Sequence, residues 1–243
     1  MEKDFNKSVL VDIIDDFSEK RRVFSNEVQF QFELGQALEK KGYRVLFEVL
    51  SISENAHGKN KIYTDIVVDL GDKRFVAVEL KYKSAIAPGS PWAKGYDIAN
   101  KLFTYGTYNG IEQCVFPQGA EDTGSYYFIK DIERLENFTS GKTTFNFHED
   151  YQVVQAYAII IANSKRGSKS AYWAEHEGCK WKDYSLEDGR TIKRGKLKKW
   201  KTGKTEFPAV ELQHDYVCKW HPYYNSEDTD FPLQFMIMEI LRN

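Results

Sequence analysis

The chain has 243 residues, 42% hydrophobic and 15% aromatic, which is enough to bury one large domain or a domain with an appendage. Its longest apolar run, "AYAIIIA" at 156–162, falls far short of the ~20 residues of a membrane span, the start "MEKDFNKS" has no signal-peptide layout, and three cysteines (Cys114, Cys179, Cys218) do not make a disulfide framework, so a cytoplasmic protein is predicted. The net charge of -2 averages an acidic N-terminal half with a lysine-rich stretch near the end.

In chain order, "SVLVDIIDDFSEKRR" sets Leu10, Ile13, Ile14 and Phe17 at helical spacing and predicts a structural amphipathic helix. A second helix is predicted from an N-cap at Ser25 to a stop at Gly42. On it Glu27 lines up with Phe30, Gln31, Leu34 and Leu38, whereas Glu33 lines up with Gln36, Ala37 and Lys40. Glu27 is therefore an acid on the buried stripe, open to two readings: a first-turn complement to the helix dipole, or a member of a site. "YRVLFEVLSI" reads as a strand and "SENAHGKNK" as a loop.

Residues 62–82, "IYTDIVVDLGDKRFVAVELKY", read as an antiparallel hairpin closed by a three-residue loop containing Gly71, with Leu70 meeting Arg74 and Asp65 facing Glu79. Strand alternation then gives one apolar face, Ile66, Val68, Leu70, Val76, Val78 and Leu80. The other face carries Asp65, Val67, Asp69, Phe75, Ala77, Glu79 and Lys81. Two carboxylates opposite one another, with Cβ atoms ~5 Å apart, repel unless a cation lies between them, and a divalent metal ion would remove that cost. Glu48, on the preceding strand, either points into the same place or is a surface acid.

After a predicted loop, "SAIAPGSP", a helical pattern resumes at Trp92 and runs through Ile98, Leu102 and Tyr105, carrying Tyr96 and Asp97. A short helix is predicted around "IKDIERLENF" and a buried strand at "VVQAYAIIIAN". Beyond Ser164, short aromatic segments alternate with turns, which predicts a β-rich extension.

The order helix, strand, hairpin, helix, strand, with Asp65 on one hairpin strand and Glu79-Leu80-Lys81 on the next, resembles the PD-(D/E)XK nuclease superfamily, although "YTD" stands where that family has Pro-Asp. The resemblance implies an α/β restriction-endonuclease-like core, αβββαβ, with a mixed central sheet flanked by helices over residues 22–165. An N-terminal helix (1–21) would precede it, and a β-rich extension (166–243) would pack on it. It also implies a nuclease that hydrolyses phosphodiester bonds with Mg²⁺ or Mn²⁺, held by Asp65, Glu79, the main-chain carbonyl of Leu80 and Glu27. Lys81 would orient or deprotonate the attacking water, so the catalytic set would be Glu27, Asp65, Glu79 and Lys81. Lys83 and Tyr96 would contact nucleic acid, DNA in preference to RNA. Double-strand cutting would favour a homodimer. The competing reading is a non-catalytic nucleic-acid-binding or interaction protein on the same scaffold.

Two further patterns stay open in the sequence. "RTIKRGKLKKWKTGK" at 190–204 holds eight cations and no acid, and is either a solvated loop or a phosphate-contacting surface built on Lys193, Arg194, Lys198, Lys199 and Trp200. His176 with Cys179, and Cys218 with His221, have zinc-compatible spacing, against the commoner fate of buried cysteine and surface histidine. No Gly-x-Ser-x-Gly elbow, P-loop or Rossmann glycine set is present.

Overall fold

The structure, a computed structural model, describes residues 4–20, 23–55, 58–83, 96–97, 102–108, 111–115, 121–146, 151–163, 182–202, 205–224 and 233–242. Helix α1, Lys7–Glu19, is capped by Asn6 and buries Leu10, Ile13, Ile14 and Phe17, the stripe read from the sequence. Helix α2, Glu27–Lys40, is capped by Asn26 and not by Ser25. The Asn26 side chain accepts from Gln29 N at 2.9 Å, while Ser25 N donates to Gln29 Oε1 at 2.7 Å, so Gln29 reaches back over the helix start. Gly42, with φ 83, supplies the left-handed residue that ends α2.

Strands β1 (Arg44–Asn55), β2 (Gly58–Gly71) and β3 (Arg74–Lys83) follow. The loop expected at "SENAHGKNK" gives way to a hairpin whose ladder continues to Asn55↔Gly58. Main-chain pairing admits polar residues, so composition alone does not mark such an arm. The β2–β3 turn also differs from expectation. Gly71 pairs with Arg74 across a two-residue turn in which Asp72 (φ 49) and Lys73 (φ 60) are both left-handed. A bulge between Asp69 and Gly71 takes up the extra residue, and Asp69 Oδ1 accepts from Gly71 N at 2.8 Å. Beyond the bulge the pairs Val68↔Val76 and Ile66↔Val78 restore the register read from the sequence, which places Asp65 and Glu79 next in line.

The helix expected from Trp92 is not formed at the described residues. Instead β4 (Tyr96–Asp97), β5 (Leu102–Tyr108) and β6 (Ile111–Val115) make a separate antiparallel sheet. Thr104, Tyr105, Thr107 and Tyr108 favour strand, Gly106 disfavours helix, and the pair Tyr108↔Ile111 brackets Asn109-Gly110, the dipeptide most typical of tight hairpins. "SAIAPGSP" and Trp92 lie outside the described residues. Helix α3 spans Glu121–Thr139 and so starts eight residues before Ile129, the first residue of the expected segment. Strands β7 (Thr143–Phe145) and β8 (Gln152–Asn163) complete this part of the chain.

The remainder is β-rich: a 3-10 turn at Lys182–Tyr184, then β9 (Thr191–Ile192), β10 (Gly195–Lys196), β11 (Trp200–Thr202), β12 (Thr205–Phe207), β13 (Glu211–Leu212), β14 (Tyr216–Val217), β15 (His221–Tyr224) and β16 (Leu233–Glu239). The molecule is mixed α/β around a seven-stranded sheet of order β15-β16-β8-β3-β2-β1-β7. Only β3 and β8, joined through α3, run parallel within it, and the C-terminal strand β16 lies hydrogen-bonded against β8.

Both sheet faces are buried, and alternation decides which residue meets which layer. Val76, Val78, Leu80 and Tyr82 of β3, with Tyr157, Ile159 and Ile161 of β8, pack against α1 and α2 through Ile14, Phe30, Leu34 and Leu38. On the opposite face Ala77, Ala156, Ala158 and Ala162 pack with Ile129, Ile132 and Leu135 of α3 in one core. The alanines of β8 keep that face shallow, so the helix can approach closely. Buried Glu136 of α3 anchors the β-rich part: it accepts from Gln213 N at 2.8 Å, His214 N at 3.0 Å and Tyr216 Oη at 2.8 Å. Among the described residues, no helix is long and apolar enough to cross a membrane.

Candidate functional site

The odd-numbered residues of β3 face α3, and so do those of β2, which puts Asp65, Glu79 and Lys81 on one sheet face. The helix covering that face is α3. Phe30, Leu34 and Leu38 of α2 pack on the other side. From the first turn of α2, Glu27 reaches the site: Glu27 Oε2 accepts from Tyr82 N at 3.0 Å, and Glu27 Oε1 lies 3.7 Å from Lys81 Nζ. Asp65 and Glu79 are tied through the main chain, because Asp65 Oδ2 accepts from Leu80 N at 2.6 Å.

The sequence reading missed two residues of α3. Asp131, 3% exposed at its side chain, lies 2.9 Å from Lys81 Nζ, and its Oδ1 accepts from Arg134 Nη1 at 2.9 Å. Arg134 Nη2 donates to Glu79 Oε1 and, at 3.1 Å, to the carbonyl of Tyr63. The result is a chain of alternating charge, Lys81, Asp131, Arg134, Glu79, across the helix–sheet interface. The signal was present: Asp131 shares the helix face of Phe128, Leu135 and Phe138, the buried-stripe test that singled out Glu27.

A third missed residue is Gln31, on the α2 stripe and buried. Its Nε2 donates to the Asp65 carbonyl at 2.6 Å and to Glu48 Oε1 at 2.8 Å. Glu48 stands across from Asp65, between the pairs Phe47↔Ile66 and Val49↔Thr64, with φ 49. A left-handed glutamate inside a strand costs on the order of 1–3 kcal/mol, and Gln31 holds it there.

Electrostatics follow from burial. Burial raises Asp65 to about 6, against the opposing pull of Lys81 and the Leu80 N–H, and Asp131 and Glu27 push it the same way as burial. Glu79, 2% exposed, is also raised by burial, with Arg134 opposing. Crowding of like charges contributes to both, but desolvation leads. Burial pulls Lys81 down, yet Asp131, Glu27 and Asp65 together outweigh it and hold the ammonium above its ordinary value.

The donor set suits a hard divalent cation: Asp65 and Glu79 carboxylates on adjacent strands with the Leu80 carbonyl between them. Those oxygens are engaged by the protein's own donors. Leu80 O accepts from Lys81 Nζ at 2.9 Å, and Glu79 from Arg134. Accordingly, among the described residues no three acidic, histidine or cysteine side chains form a ready-made cage. The donor chemistry fits a metal, and in the structure the same oxygens accept from Lys81, Arg134 and the Leu80 N–H.

Lys83 continues the same face, running past α3 at Gly124, where an added Cβ would meet Lys83 Cε at 3.5 Å. Burial lowers its pKa, with Glu27 opposing. Tyr96 and Asp97 sit on β4, in the separate sheet. In the basic run, Lys193 pairs with Asp215 at 2.8 Å and Lys199 with Glu206 at 2.8 Å. The Arg194 main-chain N–H bonds Asp215, the Lys198 carbonyl accepts from Tyr184, and Trp200 opens β11. This segment is β-structured and packed, since Phe207 of the β11–β12 hairpin meets Tyr126 of α3 at 5.0 Å between ring centroids. For the zinc alternative, burial pushes the Cys218 thiol up to about 12 and His221 stacks on Phe235, while His176 and Cys179 lie outside the described residues.

The chain matches no family model, no curated protein and no solved structure.

Proposed function

We propose that the chain is a divalent-metal-dependent nuclease that hydrolyses phosphodiester bonds, with a restriction-endonuclease-like core formed by α2, β1, β2, β3, α3 and β8. The observation that carries this reading is the convergence of Asp65, Glu79 and Lys81 on one sheet face, with Glu27 and Asp131 supplying further carboxylates around the lysine. The reading is supported by that element order, which the β4–β6 sheet and β7 interrupt. DNA remains the preferred substrate over RNA.

Asp65, Glu79 and the Leu80 carbonyl would hold Mg²⁺ or Mn²⁺. Such an ion polarises the phosphate and lowers the pKa of a bound water. Lys81, kept protonated by Asp131, Glu27 and Asp65, serves as a cation that orients the attacking water and stabilises charge growing on the phosphate. Proton abstraction by Lys81 is the weaker alternative, because its anionic neighbours oppose deprotonation. Gln31 fixes the main chain of Asp65 and so the direction of that carboxylate.

One observation favours a second reading. Arg134 bonds Glu79 where a metal ion would bind, as it would in a nucleic-acid-binding protein that had exchanged its metal for an internal ion pair. Incubation of single-stranded, double-stranded and branched DNA, and of RNA, with Mg²⁺, Mn²⁺ or EDTA separates the two. Metal-dependent cleavage lost in Asp65→Asn and Glu79→Gln supports the nuclease. Binding without cleavage, unchanged by EDTA and by both substitutions, supports the second reading.

A further inference from the structure

Arg134 is held from three sides, only one of which involves Glu79. Nη1 donates to Asp131 Oδ1 at 2.9 Å, Nη2 donates to the Tyr63 carbonyl at 3.1 Å as well as to Glu79, and Nε is buried with no hydrogen-bond partner among the described residues. The side chain is nevertheless 24% exposed, so part of it reaches solvent while Nε keeps donor capacity unspent.

We propose that Arg134 is the latch of this site. In the structure it neutralises Glu79. When a divalent cation is taken up by Asp65 and Glu79, it releases Glu79, stays tethered to Asp131 and Tyr63 O, and turns its freed N–H donors to a non-bridging oxygen of the phosphodiester. The inference rests on the nuclease reading and adds to it a residue that ties metal uptake to substrate binding.

Three physical points carry it. A cation and a guanidinium cannot share Glu79 Oε1, because like charges at contact distance in a buried site repel strongly. The four carboxylates Glu27, Asp65, Glu79 and Asp131 face Lys81, Arg134 and, through Glu27 and Asp131, Lys83, so negative groups still outnumber positive ones and the cluster has room for added positive charge without expelling the arginine. Finally, the Nη2 donor that meets one Glu79 oxygen suits a phosphate oxygen as well as a carboxylate oxygen, so the move exchanges one anionic acceptor for another.

The test uses the intact chain, with Arg134→Gln, Arg134→Met and Asp65→Asn beside the parent. Calorimetric titration with Mn²⁺ is expected to show about tenfold tighter binding in Arg134→Gln, since a competing cation has been removed from Glu79, and loss of binding in Asp65→Asn. Anisotropy of a labelled DNA duplex against KCl is expected to give parent and Arg134→Gln the same slope in EDTA. With Ca²⁺ present, the slope in Arg134→Gln should be smaller by about one unit, because the phosphate contact forms only in the metal-loaded state. Mn²⁺ binding in Arg134→Gln that is equal to or weaker than in the parent would overturn the latch, and so would a slope difference already present in EDTA. If Arg134→Gln fails to fold by circular dichroism, Arg134→Met, which also removes the charge, decides on the Mn²⁺ titration, with tighter binding expected and parent affinity overturning the idea. Absence of Mn²⁺ binding in the parent and in every Arg134 variant would remove the nuclease reading, and the latch with it. A parent that binds metal but keeps its affinity in both variants removes the latch alone.

Discussion

Lys81 Nζ lies 2.9 Å from Asp131 Oδ2 and 3.7 Å from Glu27 Oε1, so the nearest anion to the motif lysine comes from α3 and not from the helix that precedes the sheet. Replacing Lys81 with methionine is expected to lower cleavage by about 10²–10³-fold while leaving Mn²⁺ binding at Asp65 and Glu79 in place. Asp131→Asn takes away the closest counter-charge and should let the lysine deprotonate at lower pH. The alkaline limb of the cleavage–pH profile should therefore move to lower pH. An unmoved limb in a folded Asp131→Asn protein would show that Asp131 serves only to anchor α3.

Asp65 gives a pH signature in the metal-free state. Its folded-state pKa of about 6 lies above the ordinary value of 3.8, so the folded chain holds a proton that the unfolded chain releases. Stability linked to Asp65 is therefore present at acid pH and lost as pH rises from about 4 to about 6, by up to roughly 3 kcal/mol. Urea midpoints of parent minus Asp65→Asn across that range isolate the effect from other carboxylates. The difference should grow against the parent with rising pH, and millimolar Mg²⁺ at pH 7 should reverse it only where Asp65 is intact.

Glu136 fastens the β-rich part to α3 through Gln213, His214 and Tyr216. Glu136→Ala leaves several buried donors without their acceptor, at a cost of about 3–5 kcal/mol. Hydrogen exchange at residues 211–217 should accelerate more than exchange in β3. Uniform acceleration across the whole sheet would mean that the β-rich part and the core unfold together.

How much of this was legible depends on where the determining contact lies. Alternation in "DIVVDL" and "FVAVELKY" was enough to assign faces and to bring Asp65 and Glu79 into register, because strand geometry is local. The turn was misjudged because a bulge at Asp69 and a left-handed Asp72-Lys73 pair close the same register with different residues. Tyr96 and Asp97 were placed on a helix because apolar spacing was weighed above Asn109-Gly110 and the β-formers around it. Arg134 had no sequence signal of its own: an Asp-x-x-Arg pair on a helix usually serves the solvent face, and only the approach of α3 to β3 gives it Glu79 as a partner.

The basic run divides by local pairing, which its sequence could not display. Lys193 already pairs with Asp215, 22 residues on, and Lys199 with Glu206, 7 residues on, whereas Lys196 and Lys198 are exposed with no ion pair to a described acid. The hairpin that follows is braced on α3 by Phe207, so these lysines sit on a supported surface attached to the helix that carries Asp131 and Arg134. If that surface holds a phosphate backbone, Lys196→Ala and Lys198→Ala should each weaken DNA binding on all sequences alike and reduce the log–log salt slope by about one unit. Lys193→Ala and Lys199→Ala should change the slope less, because binding there must first break a pair. Mn²⁺ affinity should stay at the parent value in all four. Equal slopes in all five proteins would mark the run as a solvated surface, and nucleic acid would then have to be held by the site face alone, through Lys81, Lys83 and Arg134.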